Sequence, residues 1–401
     1  MGRIIVPSDT DVPRSADLVI IGGGILGSAT AFYATRAGLK TLVVEMRDGL
    51  ATLTTVASEE CFRAQFSEPE NVAMMLASIQ VFENFADHIG IAGYNISLHQ
   101  QGYLFLTDRP DGPTTVKRNW QRMRDAGLGD VELWDEATVR KHFPWVSEDV
   151  TAATWRAKDG WLSAHEVTYG FAKGSAATFL LRTEATGITL DGQGVARVET
   201  DRGPIATRRV VIAAGPFSGV VAKQAGIDLP LTILRRQKAI VGHDEFIPQG
   251  APMTIDMATG AYWRPEVGGA ALGWAIDEDP SMPSETVPVD WQFAAMVLHQ
   301  VKRLAPFWEG VIQRLTRDNL FLSAGQYTIT PDAKPILGPH PDIPGLFFNL
   351  GYSGHGVMAS PEGSRICIEM MLGKMRVEDS PFRFTRFRER AAGAASEKLV
   401  I

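Results

Sequence analysis

The chain has 401 residues, 45% of them hydrophobic and 21% charged, with a net charge of −7. That length exceeds what one core serves well and suggests two domains, while the acidic balance, with no basic tract before the C-terminal end, argues against a nucleic-acid partner. The two cysteines, Cys61 and Cys367, form no C-x-x-C pair and no run of about 18 apolar residues occurs, so neither a disulfide framework, a zinc site nor a transmembrane helix is expected and a reducing, cytoplasmic setting fits.

Residues before Asp17 carry Pro7 and Pro13, lack the apolar core of a signal peptide and read as a loose leader. Val19 to Ile21 then forms a short apolar run suited to a buried parallel strand. Gly22, Gly24 and Gly27 follow in G-x-G-x-x-G spacing, Ser28 to Ala37 is helical in composition, Gly38 is a stop, and Thr41 to Val44 is a second strand ending in Glu45. The first glycine allows the tight turn, the second admits a pyrophosphate to the backbone, and the third lets helix and strand pack closely. The helix N-terminus offers N–H groups to phosphate, and Glu45 sits where a carboxylate accepts both ribose hydroxyls and repels a 2′-phosphate. Strand, glycines, helix, strand and acid together read as a dinucleotide site, with NADP disfavoured.

Glu70 to Ile89 has helical spacing, with Val72, Met75, Leu76, Ile79, Phe82, Phe85 and Ala86 on one face. Tyr103–Thr107 reads as a strand, Thr114 to Ala126 as a surface helix, and Trp134 to Phe143 as containing a short helix closed by Pro144. A turn at Asp159-Gly160 precedes a helix from about His165 to Ala177. His165 and the other histidines outside the last glycine loop lack ligand spacing and read as surface or capping residues. Gly187 to Thr207 is an up-and-down β segment, and Val210 to Gly215 an apolar strand that runs out into Ala-Ala-Gly, which brings backbone close to a ligand at a sheet's carboxyl edge. Leu231 to Val241 has a β-like pattern that carries Arg235, Arg236 and Lys238. Ala261 to Pro265 and Ala271 to Trp274 pair across a glycine turn, Trp291 to Ala305 is a helix, and Gln326 to Thr330 is a strand. Leu346–Leu350 leads into Gly351-Tyr352-Ser353-Gly354-His355-Gly356 and a helix from about Pro361 to Leu372. The tail from Pro381 holds Arg383, Arg386, Arg388 and Arg390 and reads as packing on the surface.

Three motifs together resemble the D-amino-acid oxidase/sarcosine oxidase family of FAD enzymes. They are the Gly22-to-Glu45 unit, the Val210-to-Gly215 strand, and Tyr327-to-Asp332 paired with Gly351-to-Gly356. Arg63-Ala64-Gln65-Phe66-Ser67 and the Asp159-Gly160 turn fit the same pattern. The likeness spans Asp17 to about Phe387 and is nearest in flavour to glycine oxidase and to the β subunits of sarcosine oxidase and dye-linked L-proline dehydrogenase.

The resemblance implies an α/β fold: a Rossmann-like FAD domain from 12–84, 148–225 and 330–377, a mixed-sheet substrate domain from 85–147 and 226–329, and a tail, 378–401. It implies FAD contacts from Gly22, Gly24, Ile25, Leu26, Gly27, Glu45, Met46, Arg47, Ser58, Ala185, Ala214, Gly215, Gly354, His355, Gly356, Val357 and Met358. It implies oxidation of an amine carbon beside a carboxylate by hydride transfer to flavin, the imine then hydrolysing. The negative charge growing on the flavin would be met by N–H donors of the Gly354-His355-Gly356 loop. Arg63 matches an active-site arginine of the sarcosine-oxidase branch. Tyr262 matches a carboxylate-binding tyrosine of the glycine-oxidase branch, and Arg264 lies on the strand that faces the flavin in relatives. Tyr327 stands where the glycine-oxidase branch has its carboxylate arginine. Gly325 falls near the flavin-tethering cysteine of the monomeric branch, which implies non-covalent FAD. Met358 and Ala271 replace lysines, which makes an acceptor other than O2 credible. Sarcosine-, proline- and glycine-like substrates all stay open. So do D-amino-acid deamination, a flavin-bearing subunit that needs a partner, and, on the first motif alone, an NAD dehydrogenase.

Overall fold

The computed structural model describes residues 1–8, 12–276 and 278–389. Two sheets organise it. The first has seven strands in the spatial order Arg3–Ile5, Thr178–Leu180, Thr41–Val44, Leu18–Ile21, Val210–Ile212, Leu346–Leu350 and Ile336–Pro339, all parallel except the last pair. Its central strands are apolar throughout because both faces are covered. Leu18, Ile20, Val43 and Val211 pack with Ala31 and Ala34 of the helix Ile25–Arg36. Val19, Ile21, Leu42 and Val44 pack with Ile188 and Val198. These last two belong to a three-stranded antiparallel sheet, Ala185–Asp191, Gly194–Thr200 and Ile205–Ala206. A period of two in a strand thus sends alternate residues to two different covers.

The second sheet has eight strands in the order Leu320–Ile329, Thr232–Val241, Gly269–Trp274, Ala261–Glu266, Met253–Asp256, Tyr103–Thr107, Ala152–Arg156 and Glu132–Asp135. One face carries Ala239, Val241, Trp263 and Leu272 against Phe293, Val297, Leu298 and Val301 of the helix Trp291–Leu304. By alternation, Arg236 and Lys238, and likewise Tyr262 and Arg264, belong to the opposite face. That face looks toward the first sheet's carboxyl edge, where Lys238 reaches Ser58 and Arg264 reaches Glu59.

Several elements differ from the sequence reading. Arg3–Ile5 is no loose leader but the edge strand of the seven-stranded sheet, paired in parallel with Thr178–Leu180. The long helix after Pro69 breaks at Asn84 into Pro69–Glu83 and Phe85–Ile89. The helix after the last glycine loop spans Gly356–Met371, so it starts five residues before Pro361. Pro361 lacks the N–H that would bond the Val357 carbonyl, and the Ser360 hydroxyl donates to that oxygen instead at 2.9 Å. In the tail, Arg386 is buried rather than laid on the surface: its guanidinium meets Asp332 at 2.9 Å. Arg390 lies outside the described residues. Among those described, no helix is long and apolar enough to cross a membrane.

Candidate functional site

Leu18–Ile21 runs straight into the glycine motif. Gly22 takes φ 110°, which only glycine adopts without strain, and the helix starts at Ile25 with Gly24 as its N-cap. A Cβ on Gly27 would overlap the Gly22 carbonyl oxygen, so this glycine serves helix–strand contact. A Cβ on Gly24 would have only Thr55 Oγ1 nearby, at 3.4 Å, so this glycine leaves open space for something else. The Glu45 carboxylate accepts from the Gly23 N–H at 2.6 Å and the Arg47 N–H at 2.9 Å, which aims it across the turn. Burial raises its pKa, and those two N–H bonds oppose the rise.

A long cleft opens along this carboxyl edge. Of the expected cofactor residues, Gly22, Gly24, Ile25, Leu26, Glu45, Met46, Ser58, Ala185, Ala214, Gly215, Gly354, Gly356 and Val357 line it. Gly27, Arg47, His355 and Met358 do not: Gly27 is spent on packing, Arg47 turns outward to pair with Glu285 at 2.7 Å, and His355 and Met358 line an adjoining chamber instead. Thr54, Thr55, Gln224 and Gln326 line the cleft too and carried no sequence signal. At the far end the Gly351-to-Gly356 loop is stitched to the Tyr327 strand. Ser353 N–H donates to the Thr328 carbonyl at 3.0 Å, Thr330 N–H donates to Ser353 Oγ at 3.1 Å, and Gly354 lies so close to the Tyr327 ring that a Cβ would sit 2.7 Å from it. The helix Gly356–Met371 begins here with no side-chain cap, so the N–H groups of its first turn point out of its end.

Beside Tyr327, Gly354 and Val357 the cleft adjoins a smaller chamber lined by Glu59, Cys61, Arg63, Tyr103, Tyr262, His355 and Met358. Arg63 is 3% exposed. Its guanidinium lies 4.0 Å from the Phe66 ring centroid and 5.4 Å from that of Phe105, and donates to the Gln65 carbonyl. The segment around it is held from below by Asp159. Asp159 Oδ1 accepts from the Ala64 N–H at 2.9 Å and Oδ2 from Gln65 Nε2 at 3.2 Å, while Arg156 offsets its buried charge. The Asp159-Gly160 turn and the Arg63 segment are therefore one structural unit. His355 stands edge-on to Phe66 with centroids 4.9 Å apart. Burial pushes the Tyr327 phenol up to about 12 and that of Tyr262 well above its ordinary value, so both present O–H donors. Cys61 is likewise pushed up to about 12 and stays a thiol.

Arg264 is not brought into the chamber. Its guanidinium is consumed by the Glu59 carbonyl at 3.1 Å, the Pro265 carbonyl at 3.2 Å and the Glu266 carboxylate, so it braces the loop that carries Glu59. A third cavity continues from the chamber past Tyr262 and Tyr327 to Arg236, Lys238 and Gly325. Arg236 lies 5.9 Å from the Tyr327 ring centroid. Glu59, Arg236 and Lys238 were not among the expected site residues, although the i, i+2 spacing of the last two already puts them on one strand face.

Comparison with known proteins places the chain. The family model described as FAD dependent oxidoreductase (DAO) matches residues 17–370. FAD-dependent oxidoreductase domain-containing protein 1 of Xenopus laevis is 29% identical over 424 residues, covering 94% of this chain and 83% of the relative. Sarcosine oxidase subunit beta of Rhizobium meliloti (strain 1021) is 26% identical, covering 92% and 88%. The crystal structure of L-proline dehydrogenase from P. horikoshii superposes with a TM-score of 0.83 at 26% identity, covering 94% of this chain and 99% of that one.

The cofactor of this family is FAD, and the cleft fits it. Gly24 leaves room for a diphosphate at a helix N-terminus, Glu45 is oriented for a ribose, and Gln224 holds a buried Oε1 without a hydrogen-bond donor among the described residues. The chain belongs to the DAO family of FAD-dependent oxidoreductases, and it is an oxidoreductase acting on amino groups.

Proposed function

We propose that the protein oxidises the amine carbon of a small or N-substituted amino acid, sarcosine-, proline- or glycine-like, to an imine that water then hydrolyses. The observation that carries this reading is Arg63. It is a buried guanidinium held between aromatic rings in a chamber that shares Tyr327, Gly354 and Val357 with the flavin cleft. Bound FAD supplies the two-electron acceptor. The protein's own part is positional: Arg63 takes the substrate carboxylate, Tyr262 and Tyr327 offer O–H donors, and chamber walls exclude water. The uncapped N–H groups at Gly356, Val357 and Met358 would offer donors to a bound flavin and stabilise negative charge on it. The flavin is held by 12–84, 148–225 and 330–377 without a covalent link, since Gly325 has no thiol to offer. Met358 and Ala271 bring no positive charge to the site, which favours an acceptor other than O2. Two buried free thiols, Cys61 and Cys367, fit a reducing compartment.

The anaerobic visible spectrum tests this. One of sarcosine, L-proline, glycine or D-alanine is expected to bleach the flavin band, and slow reoxidation in air marks a dehydrogenase. D-Alanine alone bleaching it would favour D-amino-acid deamination. A second reading, a subunit active only with partners, is favoured by the relative named a subunit. Turnover by an isolated monomer would dismiss it.

A further inference from the structure

Resting on the amino-acid reading above, a second ionisable group in the chamber calls for a ligand of its own. Glu59 sits between the short helix Thr54–Ala57 and the strand Cys61–Phe62, and lines both the Arg63 chamber and the cavity beside Arg236 and Lys238. Both of its carboxylate oxygens are buried, and neither finds a hydrogen-bond partner among the described residues. Leaving such oxygens unpaired is costly, so a group of this kind is retained where something else binds it. Its neighbours are already engaged. Lys238 Nζ donates to the Ser58 carbonyl at 2.6 Å, Arg264 holds backbone and Glu266, and Glu60 Oε1 accepts from the Ala164 N–H at 2.9 Å.

The charged groups around Glu59 are Glu60 and Glu266 with Lys238 and Arg264 at its own loop, Arg236 in the cavity on one side and Arg63 in the chamber on the other, while Cys61, Tyr262 and Tyr327 are uncharged. Burial first, then Glu266 and Glu60, push the Glu59 carboxyl above its ordinary value, while Lys238 and Arg264 pull it back. The loop that presents it is strained as well: Glu60 takes φ 59°, a left-handed conformation unfavourable for a residue with a side chain.

We propose that Glu59 is the amine-recognition group of the chamber: it accepts the N–H of an amino-acid substrate whose carboxylate lies on Arg63, and takes that proton before the amine carbon is oxidised. In the transfer the ammonium N–H bond breaks, nitrogen keeps the electron pair, and the proton forms an O–H bond on the Glu59 carboxylate. The ligand class is an amine-bearing carboxylate, and the hydroxy analogue of the same shape is rejected.

Calorimetric titration of the full-length, flavin-loaded protein tests this with compounds that have no α-hydrogen to lose. The probes are 2-aminoisobutyrate against 2-hydroxyisobutyrate, and 2-methylproline against 2-methyltetrahydrofuran-2-carboxylate. The wild type is expected to prefer the amine of each pair by roughly tenfold or more, and Glu59→Gln to abolish the preference while changing the other member less than about twofold. Glu59→Asp keeps the charge and retains a preference. Glu59→Asp also keeps the proposal open to test if Glu59→Gln fails to load flavin. A preference that survives Glu59→Gln, or one that Glu59→Asp abolishes, overturns the role of Glu59 and leaves the amino-acid reading standing. If no probe of either pair binds the wild type, the amino-acid reading falls, and this proposal with it.

Discussion

Arg63 is 3% exposed, so a carboxylate bound there is screened less, and is worth more, than one on a surface arginine. Arg63→Ala is expected to raise KM roughly 10- to 100-fold for carboxylate-bearing amines and to leave neutral amines nearly unaffected; equal losses on both would exclude the clamp. Glu45 lines the cofactor cleft instead. Glu45→Ala should weaken FAD binding by about tenfold or more, read by flavin fluorescence on titration. The same residue carries a pH signature. Its folded pKa is raised by burial, so the folded apo-protein holds a proton longer than the unfolded chain, and this contribution is lost as pH rises from the ordinary value of 4.5 through the folded pKa. Glu45→Gln should flatten that part of the apo-protein's stability–pH curve in urea titrations. At this scale the sequence was legible where a motif pinned a residue, as for Glu45 and Gly24. Arg264 shows the opposite case. Its strand position is as expected, but its charge is consumed by Glu266 and the Glu59 carbonyl, and no spacing rule reveals which partners a side chain meets across a fold.

At the scale of elements, two glycines of one motif separate packing from binding. Gly27→Ala forces a methyl into the Gly22 carbonyl and should lower the apo-protein's thermal midpoint by several degrees, a cost on the order of 2 kcal/mol or more. Gly24→Ala meets nothing closer than Thr55 Oγ1 at 3.4 Å, so the apo midpoint should move by less than about 3 °C while FAD affinity falls. Differential scanning calorimetry without and with FAD checks both, and a Gly24→Ala apo-protein as unstable as Gly27→Ala would refute the division. Helix starts were the poorest boundaries from sequence. The helix Gly356–Met371 begins in the glycine loop because its first turn makes no demand on side chains, and Pro361 is tolerated within it because Ser360 satisfies the carbonyl that proline abandons. That shift matters chemically, since it brings the uncapped N–H groups to the flavin cleft rather than leaving them five residues away.

At the scale of the molecule, the chain returns to its second cleft motif at its end. Arg386 is 3% exposed and forks onto Asp332 at 2.9 and 3.0 Å, and its guanidinium also donates to the Lys334 carbonyl at 2.8 Å. Asp332 belongs to the turn that ends the Tyr327 strand, so the tail clamps the loop pair at that end of the cleft. Arg386→Ala strands a buried carboxylate and should cost about 3–5 kcal/mol, seen as a lower urea midpoint. A loss under about 1 kcal/mol would mean the pair is replaceable by water.

The sequence by itself determined the nucleotide unit and most strands, because these rest on local rules: glycine φ, period-two apolar runs and helix spacing, each written within a few adjacent residues; the family was legible through the resemblance of separated motifs. Tertiary structure alone decided the rest. It joined the Asp159 turn to the Arg63 segment, set Arg3–Ile5 at a sheet edge and buried Arg386. It also turned Arg236, Lys238 and Glu59 toward one cavity from segments nearly 180 residues apart. Buried charges are placed by partners distant in sequence, and such partners leave no pattern that a window of neighbouring residues can show.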